Sequence, residues 1–170
     1  MISNKESIPH LDFDLFSRDK TSLAKDTIKA FHDYGFCVFF NHTIDKDLIA
    51  NCLSMYQEFF NYPDNIKESF IVPEIGGARG FTKFKTETAK NYDSPDLKEF
   101  WHVGRDNLDN PKNIWIDDLE NHKKLSLDLY NQFDLLGRDI MELISIGLGL
   151  ESNFFNEIIE NGNSIMRVIN

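Results

Sequence analysis

The chain has 170 residues, 41% of them hydrophobic and 27% charged. That balance belongs to a folded chain, not to a disordered or collagen-like one. Acidic residues outnumber basic ones 28 to 18, a formal net charge of −10, which opposes non-specific attraction to nucleic-acid phosphate and to anionic lipid.

Cys37 and Cys52 are the only cysteines. They cannot build a disulfide framework, and no Cys-x-x-Cys pair offers a zinc site. Residues 1–9 lack the apolar core of a signal peptide. No run approaches the roughly 20 apolar residues that a membrane helix needs. The expectation is one domain over residues 1–170, reduced and cytoplasmic, with no nucleic-acid or membrane partner.

Residues 8–13 alternate apolar and polar side chains and predict a short strand, with Pro9 tolerated near its start. Residues 17–34 predict a helix that lines Leu23, Thr27, Ala30 and Phe31 along one face, with Gly35 as its C-terminal cap. The continuous run 36–40, Phe-Cys-Val-Phe-Phe, predicts a strand buried on both faces. Residues 45–61 predict a second helix with Leu48, Cys52, Met55 or Tyr56, and Phe59 inward. Pro63 can open a short third helix over 64–70.

Residues 73–92 contain Gly76, Gly77 and Gly80 and little periodicity, so they read as a long loop with an extended piece at 81–84. A strand is predicted at 97–103, with His102 on the same side as Phe100 and opposite Trp101. Residues 119–148 carry the longest helical period, and Gly137 within it suggests close packing. A shorter helix at 151–160 and a terminal strand at 165–169 complete the chain. That strand needs a partner, either an earlier strand or one beyond the sequence.

Several segments match one known pattern in order. They are Ile8-Pro9-x-Leu11-Asp12, then Tyr34-Gly35-Phe36 through Val38 to Asn41-His42-Thr43-Ile44. Phe59-Phe60 with Pro63 and Lys67 follow, then Arg79-Gly80-Phe81. Asp96-Leu97-Lys98-Glu99-Phe100 leads to Gly104-Arg105-Asp106. Asn113-x-Trp115, Gly147-Leu148-Gly149-Leu150, Phe154-Phe155 and the strand around Arg167 complete the series. This resembles the N-terminal region of the isopenicillin N synthase-like non-haem iron oxygenases, most of which use 2-oxoglutarate.

The resemblance implies an α+β fold: the N-terminal helical and strand lobe of a jelly-roll (double-stranded β-helix) oxygenase. In it a spine helix at about 119–148 supports an incomplete jelly roll, which the four main strands join or flank. It also implies Fe(II) held by a His-x-Asp pair and a distant His, and 2-oxoglutarate held by an Arg-x-Ser pair. These groups would lie beyond Asn170, so neither cofactor is expected on this chain alone. The chemistry calls for them, because such iron takes two imidazoles and one carboxylate on one face, and an arginine fork grips a carboxylate at two points.

The chain's own His-x-Asp is His10-Leu11-Asp12. Its distal partner would be His32, His42, His102 or His122. A self-sufficient metal site of this kind is expected not to exist, and His10 and Asp12 are read as a decoy pair with Asp12 bonding at a strand end. His42 is expected to be a structural histidine in its turn, and His32 and His122 surface groups. Glu99 is expected to pair with Arg79 or Arg105 in a structural role. Arg79, Phe81 and Lys83 can receive an anionic substrate, since glycine flanks let the backbone approach closely, and the resemblance implies that this region lies near the pocket mouth; the plainer reading of this segment is a solvated loop. His102 is the remaining substrate-binding candidate.

The resulting expectation is the N-terminal part of a 2-oxoglutarate- and Fe(II)-dependent oxygenase acting on a small organic molecule, inactive as the isolated chain. The alternative is a non-catalytic binding or scaffold module, or half of a split enzyme. Such a chain would recruit a complementing polypeptide or a second copy through its terminal strand.

Overall fold

The computed structural model describes residues 7–88, 94–106 and 110–170. The expected loop 73–92 falls partly outside them. Among the described residues, no helix is long and apolar enough to cross a membrane. The fold mixes helices and strands, and the chain divides into two compact units.

The first unit takes in residues Met1–Thr43 and Phe133–Gly162. Strand β1 (His10–Asp12) pairs in parallel with β2 (Val38–Phe40), His10 opposite Val38. Helix α1 (Leu15–Arg18) is separated from α2 (Lys20–Tyr34) by Asp19, whose backbone (φ −149, ψ 66) breaks the expected continuous helix. The Asp19 carboxylate then accepts from the Ser22 N–H and caps α2, which ends at Gly35 in the left-handed conformation. Leu23, Ala24, Thr27 and Ala30 are buried along α2. Phe13 stacks on Phe16 and meets Phe39 edge-on.

The run 36–40 is not buried on both faces. Val38 and Phe40 are 40% and 41% exposed, because β2 lies in a two-stranded sheet and not in the middle of a covered parallel one. Among the described residues, the strands expected to join or flank one sheet lie in two sheets. The long helix α5 (His122–Gly147) contributes its later turns to this unit. At Gly147 a β-carbon would run into Ile28 and stand 2.7 Å from the Ala24 carbonyl oxygen, so close helix packing is at Gly147. Gly137 faces open space. Only Asn156–Glu160 is helical (α6) in the predicted 151–160 segment.

The second unit takes in Ile44–Gln132 and Asn163–Asn170. Asp45 accepts from the N–H groups of Asp47 and Leu48 and caps α3 (Lys46–Phe60). Cys52, Met55, Tyr56, Phe59 and Phe60 form its buried face. Helix α4 (Asp64–Lys67) runs into the 3-10 turn Glu68–Phe70, and a second 3-10 turn spans Pro73–Ile75. Strand β4 (Phe100–Gly104) lies between β3 (Gly80–Thr82) and β5 (Ile165–Ile169), antiparallel to both. The terminal strand therefore pairs with an earlier one. Leu97 lies outside β4 and is largely exposed.

An aromatic cluster joins α3 to this sheet. The Phe59 ring meets Trp101 at 5.0 Å and Phe81 at 5.6 Å, both edge-on. His122 is buried against Trp101, Tyr56 and Trp115, a correction to its expected surface position: the first turn of α5 faces this cluster. Each large side chain buried here contributes about 1.5–3 kcal/mol.

Candidate functional site

The two faces of β4 carry different chemistry. Trp101 points into the aromatic cluster, while Phe100 and His102 point the other way, as period two requires. Glu99 and Asn170 exchange both backbone hydrogen bonds. Pairs therefore alternate from there, and His102 opposite Arg167 is a non-hydrogen-bonded pair. Side chains in such pairs stand closest, so the register itself brings His102 and Arg167 together.

That face floors a cavity of about 390 Å³. Ile71 to Pro73, Gly76 to Ala78, Phe81 to Lys83, Thr86 and Glu87 line the rest of it. The size suits a small organic ligand. A chain of contacts crosses the floor. His102 Nδ1 lies 2.6 Å from the Gly77 carbonyl oxygen, and Nε2 lies 2.6 Å from Arg167 Nε. Only the neutral tautomer with a proton on Nδ1 satisfies both: Nδ1–H donates to Gly77 and Nε2 accepts from Arg167. Burial favours this neutral form and lowers the His102 pKa.

Arg167 Cζ sits 4.0 Å above the Phe100 ring, within cation–π range. The two terminal nitrogens of Arg167 donate to the two Glu87 carboxylate oxygens, each at 3.2 Å. Lys98 Nζ reaches the same carboxylate at 3.2 Å. Burial alone would raise the Glu87 pKa, but the hydrogen bonds from Lys98 and Arg167 outweigh it and hold it below the ordinary value. Beside these groups, the buried Thr82 hydroxyl has no hydrogen-bond partner among the described residues.

Of the predicted ligand contacts, His102 and Lys83 border the cavity. Lys83 is paired with Glu68 at 3.1 Å and is half exposed. Phe81 borders it as well, while its ring packs on Phe59. Arg79 is elsewhere. Its guanidinium is fully buried beneath Gly104, where a β-carbon would overlap it. It donates to the carbonyls of Ala78 (2.7 Å) and Arg105 (3.3 Å) and to Asn163 Oδ1 (2.8 Å). Arg79 thus ties the approach to β3 to the end of β4 and the residues before β5.

Glu99 pairs with neither Arg79 nor Arg105. Its partner is Lys67, at 2.8 Å, and both side chains are buried; Asn170 donates to its other carboxylate oxygen at 3.0 Å. A buried carboxylate requires such a cation, and α4 brings Lys67 closest. Arg105 uses its backbone, donating to the Ser164 carbonyl.

Asp12 Oδ1 accepts from the Asp14 N–H and Asn41 Nδ2 at 3.2 and 3.0 Å, and His10 is exposed. His42 is half-buried in its turn, and His32 is exposed. Among the described residues, no group of three or more His, Cys, Asp and Glu side chains could hold a metal ion. These residues do not fit an iron centre.

Sequence reasoning missed Arg167 and Glu87 as site residues. A lone cation in the apolar alternation 165–169 was the available signal for Arg167. Glu87 offered none.

Residues 8–123 match the family described as non-haem dioxygenase in morphine synthesis, N-terminal. The chain belongs to this non-haem dioxygenase family. It is 26% identical over 165 residues to the 2-oxoglutarate-dependent dioxygenase frbA of Dothideomycetidae sp. (strain 11243), covering 86% of this chain and 49% of the relative. Against the validamycin A dioxygenase of Streptomyces hygroscopicus subsp. limoneus the identity is 28% over 171 residues, covering 91% and 47%. The chain spans about half the length of these curated relatives.

Among solved structures, a 2OG-Fe(II) oxygenase family protein from Caulobacter crescentus superposes with a TM-score of 0.85 at 34% identity, over 96% of this chain and 55% of that one. A full-length Neurospora crassa protein in complex with alpha-KG gives 0.83 at 25% identity, over 99% and 55%. The dioxygenase relationship thus covers sequence and fold alike.

Proposed function

We propose that these 170 residues are the N-terminal, substrate-facing part of a 2-oxoglutarate- and Fe(II)-dependent oxygenase acting on a small organic molecule. The observation that carries this reading is the dioxygenase-family match over 8–123, on a chain whose β3–β4–β5 sheet floors a ligand-sized cavity. In this reading Phe100 and the walls around it bury the apolar part of the substrate. His102 orients Arg167, and Lys83 stands at the rim. Arg79 and Phe81 act from behind, by fixing the strands. The iron ligands and the 2-oxoglutarate clamp come from outside these residues, as the remainder of an incomplete jelly roll. Two free thiols, Cys37 and Cys52, suit a reducing cytoplasm.

The test is succinate release from 2-oxoglutarate by the purified 170-residue chain, supplied with Fe(II) and ascorbate in air. No turnover is expected, and Fe(II)-dependent turnover would overturn the claim of incompleteness. The nucleotide sequence downstream of Asn170, or a neighbouring reading frame, is expected to encode His-x-Asp, a distal His and Arg-x-Ser. Their absence would sink the oxygenase reading.

One observation favours a second reading, a binding module or half of a split enzyme. Among the described residues, no strand pairs with the outer edge of β5, where the alternation turns the N–H and C=O groups of Ile165, Arg167 and Ile169 outward. Such an edge can accept a strand from a complementing polypeptide or a second copy. A chain that stays monomeric and binds no such polypeptide would argue against it.

A further inference from the structure

We infer that the cavity selects small molecules bearing a carboxylate, and that the Glu87 carboxylate occupies the position on Arg167 which the substrate's carboxylate takes over. This rests on the proposed reading of the cavity as the substrate site and adds the chemical class of the substrate.

The geometry leaves Arg167 one port for an anion. One face of its guanidinium lies over the Phe100 ring, and its Nε edge is committed to His102. The edge formed by the two terminal nitrogens remains. A planar fork of that kind matches a carboxylate at two points, and Glu87 fills it in that manner, with both bonds at 3.2 Å. Tight charge-assisted bonds run about 2.7–2.9 Å, so Glu87 is held loosely. The Glu87 and Arg167 side chains are also 40% and 35% exposed, and pairs so open to water are weak.

Displacing Glu87 strands no charge. Its carboxylate keeps Lys98, at 3.2 Å, and Arg167 keeps His102. With Glu87 turned away, Arg167 presents its positive charge to the cavity, while Lys83 at the rim stays paired with Glu68. The chain as a whole carries −10, so its long-range field repels anions. Selection for an acid must therefore be local, and this port supplies it. The apolar walls formed by Ile71, Val72 and Phe100 suit the rest of such a molecule.

The experiment compares 3-phenylpropanoate with its uncharged amide, 3-phenylpropanamide, as probes at millimolar concentration and neutral pH. Binding to the 170-residue chain is read by NMR from the Arg167 Nε–H and Gly77 N–H resonances. The acid is expected to bind more tightly than the amide and to move the Arg167 Nε–H signal. Glu87→Gln should improve acid binding about threefold, the scale of removing an exposed ion-pair competitor, and leave amide binding unchanged. Arg167→Gln should abolish the preference. Arg167→Lys, which keeps the charge without the fork, should lose most of it while preserving the fold.

Equal binding of acid and amide, or a Glu87→Gln chain that binds the acid less well, would overturn the carboxylate inference and leave the cavity as a substrate site. Failure of both probes to shift either resonance would overturn the inference together with that reading.

Discussion

Arg167 and His102 face each other across β4 and β5, with Arg167 Nε donating to His102 Nε2 at 2.6 Å. The arginine is always charged, so it fixes which imidazole nitrogen stays bare. Protonating His102 would set N–H against N–H and push Arg167 away.

The first prediction concerns that imidazole. His102 should be neutral at pH 7, protonated on Nδ1 only, with a titration midpoint below its ordinary 6.5 because burial disfavours the charged form. Long-range proton–nitrogen NMR reads the tautomer directly. A proton on Nε2 at neutral pH would mean that the contact with Arg167 is absent in solution. In Arg167→Met the Gly77 carbonyl alone should still hold the proton on Nδ1, and the Nε2 resonance should shift as it loses its donor.

The second prediction concerns Lys67 and Glu99, which are 4% and 2% exposed. Removing one partner leaves the other charge buried, so Lys67→Met should cost about 3–5 kcal/mol in urea unfolding. The double variant Lys67→Met/Glu99→Leu should recover much of that loss, because an apolar pair needs no compensation. Its recovery should be incomplete, since Asn170 also donates to Glu99. Losses that simply add would show that the two charges do not depend on each other.

These cases mark what the residues themselves revealed. Helices α2, α3 and α5 were legible because their apolar side chains recur every three or four positions, and the end of α2 was legible because Gly35 is a strong cap. The face of β4 that carries Phe100 and His102 followed from period two. Lys67 with Glu99 and Arg167 with Glu87 were not legible. Their partners lie 32 and 80 positions apart in the chain, and nothing local marks a charged residue as buried or paired. The run 36–40 misled for a related reason: its composition asks for two covered faces, but sheet size decides how many it gets, and among the described residues β2 has a single neighbour.

The third prediction contrasts two glycines. At Gly104 a β-carbon would overlap the buried Arg79 guanidinium. Gly104→Ala should therefore destabilise by about 1–3 kcal/mol, the usual cost of overpacking. At Gly137, inside α5, a β-carbon meets nothing within 4 Å. Gly137→Ala should stabilise by about 1 kcal/mol through helix propensity and a less flexible unfolded chain. Urea midpoints that move in the same direction for both would contradict this placement.

The last prediction is a pH dependence set by His122. This imidazole is 1% exposed, and burial lowers its pKa from 6.5 to about 4. Its Nδ1 accepts from the Ile116 N–H at 3.1 Å, while its buried Nε2 has no hydrogen-bond partner among the described residues. A proton would take the lone pair that Ile116 uses and place a charge among Tyr56, Trp101 and Trp115. Because the folded pKa lies below the unfolded one, the unfolded chain binds more protons between them, and stability rises with pH across that window. The contribution is complete above about pH 6.5 and is lost as pH falls toward 4. Two and a half pK units correspond to about 3 kcal/mol. Burial of His102 acts with the same sign. His122→Phe keeps an aromatic ring in the cluster and removes the titration. Urea unfolding at pH 7 and pH 5 should therefore show a markedly smaller difference in that variant than in the parent chain. An unchanged difference would mean that other groups carry the acid sensitivity.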